Sequence, residues 1–360
     1  MLEFLRKKIK KQGGIWKYAD FYAEKIEEKN RLMLRDGGTP LVEDADIDEV
    51  YGIDHLYFKR EDENETGSLK GRSLCYQVSL NKQRGAGALT ISTSGNAGIA
   101  AAAYARKAGL KLFVFISPDT EKGKVTEMQK YGPVIIRSKR AIRFANYAAA
   151  KYRLPNLRPS VDDDSIEGFK SIAFELGDEA GDVDAVFSFV TSGSSFVGMY
   201  RGFEAYKRSG KIGKIPEMYA VQSGEISSIA GEFKENGSSI AEEDRVREEG
   251  IRAGQLGVKN TKRKKEILEI IGRTCGKGIY VDGHEIGQAA EILRGKGLET
   301  SLEGCASFAA FIKVQRERKF KKAVCIFSGK LRGHEDEIDE TKICGAESFE
   351  EVDGIITHNL

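Results

Sequence analysis

Thr66-Gly67-Ser68-Leu69-Lys70-Gly71-Arg72 sets one lysine directly after a turn of small residues. A lysine in that position is held where a helix begins, with its amine aimed into a cleft. The arrangement suits an amine that must form a Schiff base with an aldehyde. The competing reading is a solvated surface lysine, since Lys and Arg number 57 in this chain and most of them face water. Arg72, two residues on, reads as structural, in an ion pair with Glu61 or Asp62. What surrounds the turn in the sequence decides between the readings of Lys70.

Outward from the turn, strand-like apolar runs alternate with helical stretches. Ala88-Leu89-Thr90-Ile91-Ser92 runs into a Ser/Gly/Asn loop, and the alanine-rich stretch Ile99 to Lys107 reads as helix. Leu112 to Ile116 is a buried strand ended by Ser117-Pro118, and Val134-Ile135-Ile136 is another. Ala185 to Val190 leads into Thr191-Ser192-Gly193-Ser194-Ser195, after which Phe196 to Tyr206 reads as helix. Met218 to Gln222 and Ala323 to Phe327 are further buried strands. Continuous apolar strands separated by helices indicate α/β architecture with doubly wound, mostly parallel sheets. Two strand-loop-helix units with small-residue loops predict two such sheets facing a shared cleft. The basic run Lys259 to Lys265 lacks apolar residues and reads as an exposed loop. The tail after Gly333 is polar and acidic, and reads as partly mobile.

Composition narrows the classes. A length of 360 residues supports one large or two modest domains with a sizeable core. With 40% hydrophobic and 31% charged residues the chain is of the soluble globular type. A net charge of +2 gives no reason to expect nucleic acid or an anionic membrane as partner. Five scattered cysteines, Cys75, Cys275, Cys305, Cys325 and Cys344, form no Cys-x-x-Cys pair and read as free thiols of a reducing cytoplasm. Met1 to Lys11 is basic without a following apolar region, so it is not read as a secretory signal. Gly272 to Gly278 has the wrong spacing for a P-loop, and no His-Glu-x-x-His is present. His55, His284, His334 and His358 show no ligand spacing, so no metal site is expected.

Six short motifs, each weak alone, occur in one order. They are Gly37-Gly38-Thr39-Pro40-Leu41, Thr66 to Lys70, Ser92-Thr93-Ser94-Gly95-Asn96-Ala97-Gly98, Glu167-Gly168-Phe169-Lys170, Thr191 to Ser195, and Ser328-Gly329. In that order and rough spacing the chain resembles the pyridoxal-phosphate enzymes of the tryptophan-synthase β-subunit type, and among them the threonine synthases. The likeness runs from about Trp16 to about Gly333. It implies a larger cofactor-binding domain, residues 1–54 with 157–360, and a smaller mobile domain, residues 55–156, inserted in it.

The resemblance also implies roles. Pyridoxal 5'-phosphate would be held by Lys70, which would then serve as the proton-transfer base. The phosphate would lie on Thr191, Ser192, Gly193, Ser194 and Ser195, a loop between strand and helix where backbone N–H groups and the helix dipole favour an anion. This loop is richer in hydroxyls than the family's glycine-rich form. Asn96 would donate to the cofactor's phenolic oxygen. Thr93, Ser94, Gly95, Asn96 and Ala97 would grip the substrate carboxylate. Ser328 would face the pyridine nitrogen, where a neutral hydroxyl suits elimination and replacement more than transamination. Glu303 to Ser307 resembles a segment that lines the ring. Ser68, Lys170 and Arg201 are candidates for a substrate phosphate.

The activity expected from the resemblance is a lyase or replacement reaction on a small amino-acid substrate, with O-phosphohomoserine converted to threonine foremost. A β-replacement enzyme of the cysteine or cysteate synthase type, or a serine/threonine dehydratase, is the alternative. A homologue that binds cofactor or amino acid without turnover is the alternative of another class; Lys70 and Asn96 speak against it. The family habit implies a homodimer, and the expected location is the cytoplasm, with no membrane partner.

Overall fold

The computed structural model describes residues 13–93, 95–224, 228–233, 261–332 and 337–360. The chain divides into two compact units. The first comprises Met1–Gly38, Asn64–Gly168 and Arg332–Leu360, and the second Thr39–Glu63 and Phe169–Leu331.

The second unit is built on a six-stranded sheet. Its strands are β1 (Leu41–Glu43), β2 (His55–Lys59), β6 (Ala185–Phe189), β7 (Glu217–Gln222), β8 (Gly278–Tyr280) and β9 (Lys322–Ile326), in the order β1-β2-β9-β6-β7-β8. Only β1 runs antiparallel, pairing Leu41 with Lys59. The other pairs are parallel, with His55 opposite Lys322 and Ala185 opposite both Ala323 and Glu217. All five residues of β6 are buried, which explains why its sequence is continuously apolar rather than alternating. Phe58, Phe187, Tyr219, Phe308, Phe311 and Phe327 form the heart of this core. The Phe187 and Tyr219 rings stack at 4.5 Å on neighbouring strands.

The first unit carries a four-stranded, wholly parallel sheet, β3 (Ala88–Ser92), β4 (Lys111–Ile116), β5 (Val134–Arg137) and β10 (Ile343–Gly345), in the order β10-β5-β4-β3. Chain 155–157 runs on beside β3, with Thr90 donating to the Pro155 carbonyl and Leu157 donating to that of Thr90. The helices, in chain order, are α1 (Ala45–Tyr51), α2 (Lys70–Gln83), α3 (Asn96–Ala108), α4 (Lys122–Gln129), α5 (Ala141–Tyr152), α6 (Ser165–Ala180), α7 (Ser194–Arg208), α8 (Lys264–Thr274), α9 (Gly283–Gly295), α10 (Leu302–Gln315) and α11 (Phe349–Asn359).

The expectation of a mobile tail is corrected. Residues 333–336 lie outside the described residues, but beyond them β10 joins the sheet beside β5. Helix α11 follows, started by a reciprocal cap between Ser348 and Glu351, and buries Val352 and Ile356 against Phe144. Two apolar residues four apart suffice to dock a short helix whose other faces are charged. The expectation of an exposed basic loop at Lys259 to Lys265 is corrected in part. Lys262 and Lys265 are exposed, but Thr261 and Arg263 are buried at the head of α8.

One feature of the second unit had no signal in the motifs. Lys59, at the end of β2, is fully buried, and its Nζ donates to the Thr39 carbonyl at 2.8 Å. Its charge is met by Glu175 at 2.8 Å and Glu179 at 3.0 Å, both on α6. Thr39 Oγ1 donates to Glu61 at 2.6 Å. The Gly-Gly-Thr-Pro-Leu segment is therefore anchored by a buried ion cluster, in which each charge has a partner and a hydrogen bond.

Candidate active site

Lys70 is the first residue of α2. The turn before it is shaped by Gly67, at φ +74°, whose N–H donates to the Asn64 carbonyl at 2.7 Å. Ser68 is buried, and its Oγ accepts from the Lys70 N–H at 3.3 Å. From Thr66 to Asn81 every residue is buried except Lys70, which is half-buried. Within this stretch only the position that the lysine occupies is open to solvent.

The turn leans on a carboxylate that sequence reasoning missed. Asp36 is 3% exposed and accepts from Thr66 Oγ1 at 2.9 Å and from Tyr104 Oη at 2.6 Å. Burial pushes its carboxyl up to about 6, against the opposing pull of these hydrogen bonds and of the Arg72 charge. A Cβ on Gly71 would lie 2.0 Å from Asp36 Oδ1, so only glycine lets the acid pack against this turn. Arg72 is fully buried and acts electrostatically on Asp36; of the two acids expected to pair with it, Asp62 is gripped by Arg60 at 2.7 Å. Beneath it, Cys75 Sγ bonds the Leu32 carbonyl at 3.2 Å, and burial raises its thiol far above the ordinary value.

The substrate-loop candidates belong to the same unit. β3 ends at Ser92 and α3 begins at Asn96. Between them Gly95 donates to Thr93 Oγ1 at 3.1 Å, while Ser94 lies outside the described residues. Thr93, Asn96 and Ala97 are half-buried. Asn96 Oδ1 and Ser92 Oγ are buried without a hydrogen-bond partner among the described residues. A buried amide oxygen left without a donor is expensive unless a ligand or water supplies one. A Cβ at Gly95 would meet Lys124 Cδ at 2.9 Å, and one at Gly98 would meet Thr93 and Met128 at 2.5 and 2.6 Å. These glycines set how tightly the loop is drawn in.

The phosphate-loop candidates belong to the second unit. β6 gives way to Thr191 and Ser192, both half-buried, then Gly193, Ser194 and Ser195, all buried. Gly193 caps α7 at φ +82°. The first N–H groups of α7 have no acceptor within the helix, and its positive end faces the loop. Thr261 Oγ1 donates to the Ser192 carbonyl at 2.6 Å, and Arg263 Nε to Ser194 Oγ at 3.3 Å. Neither residue was expected here; their signal in the sequence is only that they stand in a basic run before an amphipathic helix. Ser328 is half-buried just past β9, and the Gly329 carbonyl beside it is fixed by the Ser301 N–H at 2.8 Å and Thr300 Oγ1 at 3.1 Å. Glu303 to Ser307 lie on α10. Arg201 is exposed and bonds Glu266 at 2.6 Å. Ser68 is fully buried and Lys170 half-buried.

Glu167 and Gly168 of α6 have packing roles. Glu167 accepts from the Ala23 N–H at 2.8 Å, and a Cβ at Gly168 would strike the Arg72 carbonyl at 2.1 Å. Among the described residues no group of three or more His, Cys, Asp or Glu could hold a metal, and no helix is long and apolar enough to cross a membrane.

In the first unit Lys70 is an amine of the kind an aldehyde cofactor needs, and in the second the head of α7 is lined by small hydroxylated residues of the kind that suit a phosphate. The profile of the pyridoxal-phosphate dependent enzymes matches residues 32–329. The chain belongs to that family. Its relatives include the threonine synthase of Methanocaldococcus jannaschii, 27% identical over 330 residues, which span 89% of this chain and 80% of that one. The threonine synthase of Halalkalibacterium halodurans is 28% identical over 329 residues, 88% of each chain. A solved pyridoxal 5'-phosphate-dependent aspartate racemase shares the fold with a TM-score of 0.66 at 21% identity, over 83% of this chain and 92% of that one. The α/β architecture with parallel sheets is that of this enzyme family, and pyridoxal phosphate is its cofactor.

Proposed function

We propose that this pyridoxal-phosphate enzyme is a threonine synthase, converting O-phosphohomoserine and water to threonine and phosphate. What carries the reading is likeness to curated threonine synthases over nearly the whole chain, with Lys70 half-buried at the start of an otherwise buried stretch, Thr66 to Asn81. When bound, the cofactor supplies an electron sink for carbanions next to the amino group. The protein's part is positional. Lys70 would hold the cofactor, and its free amine would take the substrate's α-proton and return protons later. The N–H groups and hydroxyls of Thr93 to Ala97 take the substrate carboxylate, and Asn96 donates to the cofactor's phenolic oxygen. Thr191 to Ser195 hold the cofactor phosphate at the head of α7. Ser328 would offer the pyridine nitrogen a neutral hydroxyl, which would suit the cofactor to elimination and replacement. We further propose a cytoplasmic homodimer.

The test is the visible spectrum of the cofactor-loaded protein before and after O-phosphohomoserine is added, with phosphate release followed in parallel. A band that shifts as phosphate appears is the expected result. A band indifferent to this substrate but responsive to serine or O-acetylserine overturns the substrate in favour of β-replacement or dehydration. Lys70→Ala is expected to abolish turnover while leaving the circular dichroism unchanged, and substantial activity in this variant overturns the assignment of the base.

A further inference from the structure

Thr66, which opens the turn before Lys70, is gripped at all three of its polar groups. Its N–H and Oγ1 donate to Asp36 Oδ1 at 3.4 and 2.9 Å. Its carbonyl accepts from Arg332 Nη2 at 3.2 Å. The two charged residues that hold it stand 30 and 266 positions away in the chain. All three belong to the first unit.

Stability gives little reason for Arg332 to be where it is. Burial pulls its guanidinium below the ordinary value, against the pull of Glu127, Glu121 and Tyr131, and an arginine stays charged all the same. Glu121 is bonded to Lys124 and Glu127 to Lys130, and among the described residues no carboxylate pairs with Arg332. Its Nε is buried without an acceptor among the described residues. A half-buried cation whose hydrogen bond goes to one neutral carbonyl adds little to stability at best. What the side chain does supply is a fixed direction for that carbonyl. Its own place is secured from downstream, because Arg332 begins the segment that returns to the first unit. Along that segment Gln129 Nε2 donates to the Asp339 carbonyl at 2.7 Å, and the Asp339 N–H donates to Gln129 Oε1 at 3.2 Å. β10 then pairs with β5.

We infer that Arg332 is a positioning residue for Lys70. It fixes the Thr66 carbonyl while Asp36 fixes the N–H and hydroxyl, and the turn so held sets the direction from which the Lys70 amine acts. The inference rests on Lys70 being the cofactor lysine and base, and not on the identity of the amino-acid substrate.

The experiment uses the full chain, as wild type and as Arg332→Lys, Arg332→Gln and Arg332→Met. Pyridoxal 5'-phosphate and pyridoxal, which lacks the phosphate, are titrated into the cofactor-stripped protein with the visible band as readout. Both ligands meet Lys70 through the aldehyde they share, so a displaced amine weakens both by the same factor, about 10-fold in Arg332→Gln. In the loaded protein, kcat on O-phosphohomoserine should fall about 10-fold to 100-fold with KM little changed. Arg332→Met should match Arg332→Gln, and Arg332→Lys, which keeps the charge and a donor, should recover most of the loss. The unfolding midpoint of the cofactor-stripped protein should move little in all three. Losses that track a falling midpoint, or that are equal in all three variants, would make Arg332 a packing residue and overturn the inference. A loss confined to the phosphate ester would make it a phosphate ligand and overturn the positioning role. So would wild-type affinity and kcat in Arg332→Gln. Should Arg332→Met fail to fold, the other two variants decide by the same criteria. Failure of the parent readings shows elsewhere. A visible band in Lys70→Ala equal to that of the wild type would remove Lys70 as the cofactor lysine. A wild type inert toward O-phosphohomoserine would remove the substrate, and the pyridoxal titrations would still decide on Arg332.

Discussion

The heads of α2 and α7 pose the same electrostatic problem and solve it in opposite ways. Each begins beside a glycine-bearing turn, and each carries the partial positive charge of a helix head. At α2 the anion is internal. Asp36 is buried against the first turn, held by Thr66 and Tyr104, and Gly71 is the hole that admits it. At α7 the buried charge is of the other sign, the Arg263 guanidinium bonded to Ser194. The first head carries its own anion, which suits a turn that holds Lys70 still. The second is the turn proposed to take its anion from outside, as the phosphate of the cofactor.

Adding a methyl group at Gly71 is the harshest way to break the contrast. Its Cβ would lie 2.0 Å from Asp36 Oδ1 and 2.5 Å from Thr66 Oγ1, both held by hydrogen bonds. Gly71→Ala should destabilise the protein by about 3 kcal/mol or more, at the upper end of overpacking costs. Urea unfolding measures this. Combining it with Asp36→Ala should recover about 1–3 kcal/mol as coupling, because the second change removes the obstructing carboxyl. Strict additivity of the two losses would mean that the acid and the glycine are not one device.

The corresponding change at the other head should cost less. Gly193 has φ +82°, and an added Cβ meets Ile267 Cδ1 at 2.4 Å, the flexible end of a side chain rather than a locked carboxylate. Gly193→Ala should cost about 1–2 kcal/mol from the left-handed backbone, with Ile267 moving aside. The cofactor should sharpen this comparison. If Thr191 to Ser195 hold the phosphate as proposed, saturating pyridoxal 5'-phosphate should raise the unfolding midpoint of the wild type more than that of Gly193→Ala, whose loop is reshaped. Equal ligand shifts would show that the loop's shape does not matter to binding.

Much of this could be read from the sequence, and the parts that could not share a cause. Runs such as Ala88 to Ser92 and Ala185 to Phe189 declare themselves as central parallel strands because both faces are buried, so no alternation competes with the apolar signal. Lys70 at the start of a helix follows from its Thr-Gly-Ser turn, and Asn96 at the start of α3 from its loop. Asp36 and Arg263 are silent in the sequence because their meaning lies in a partner far along the chain. An acid before Gly37-Gly38 and an arginine among lysines look like solvated charges until the fold brings Tyr104 or Ser194 to them. The same holds for Lys59. A faint cue did exist there, because Glu175 and Glu179 stand four apart on α6, beside a run of buried apolar residues. The tail was misread for the reverse reason, its composition outweighing the few apolar residues, Val352 and Ile356 foremost, that dock it.

The mildest test of the contrast is pH, because an internal anion can titrate where a bound one is exchanged. Asp36 sits near 6 when folded, against an ordinary value of 3.8. The folded protein therefore keeps this proton between about pH 4 and 6, where the unfolded chain has released it. Stability from this group is fully present below about pH 4 and declines as pH rises through 6, by up to about 3 kcal/mol. The groups facing it are Tyr104, Thr66, Arg72, Cys75 and Tyr131. Burial holds Tyr104 and Cys75 far above this range, so both stay protonated and neutral throughout, and Arg72 stays charged. Asp36→Asn removes the titration but keeps an oxygen for the Tyr104 hydroxyl. At neutral pH its net effect should be small, about 1 kcal/mol, since the relief of a buried charge offsets the lost attraction to Arg72. The informative quantity is the difference in unfolding free energy between wild type and Asn variant, measured from pH 4 to 7. That difference should move against the wild type as pH rises and level off above 6. A flat difference would mean that Asp36 is ionised throughout, its charge acting on the head of α2 at every pH.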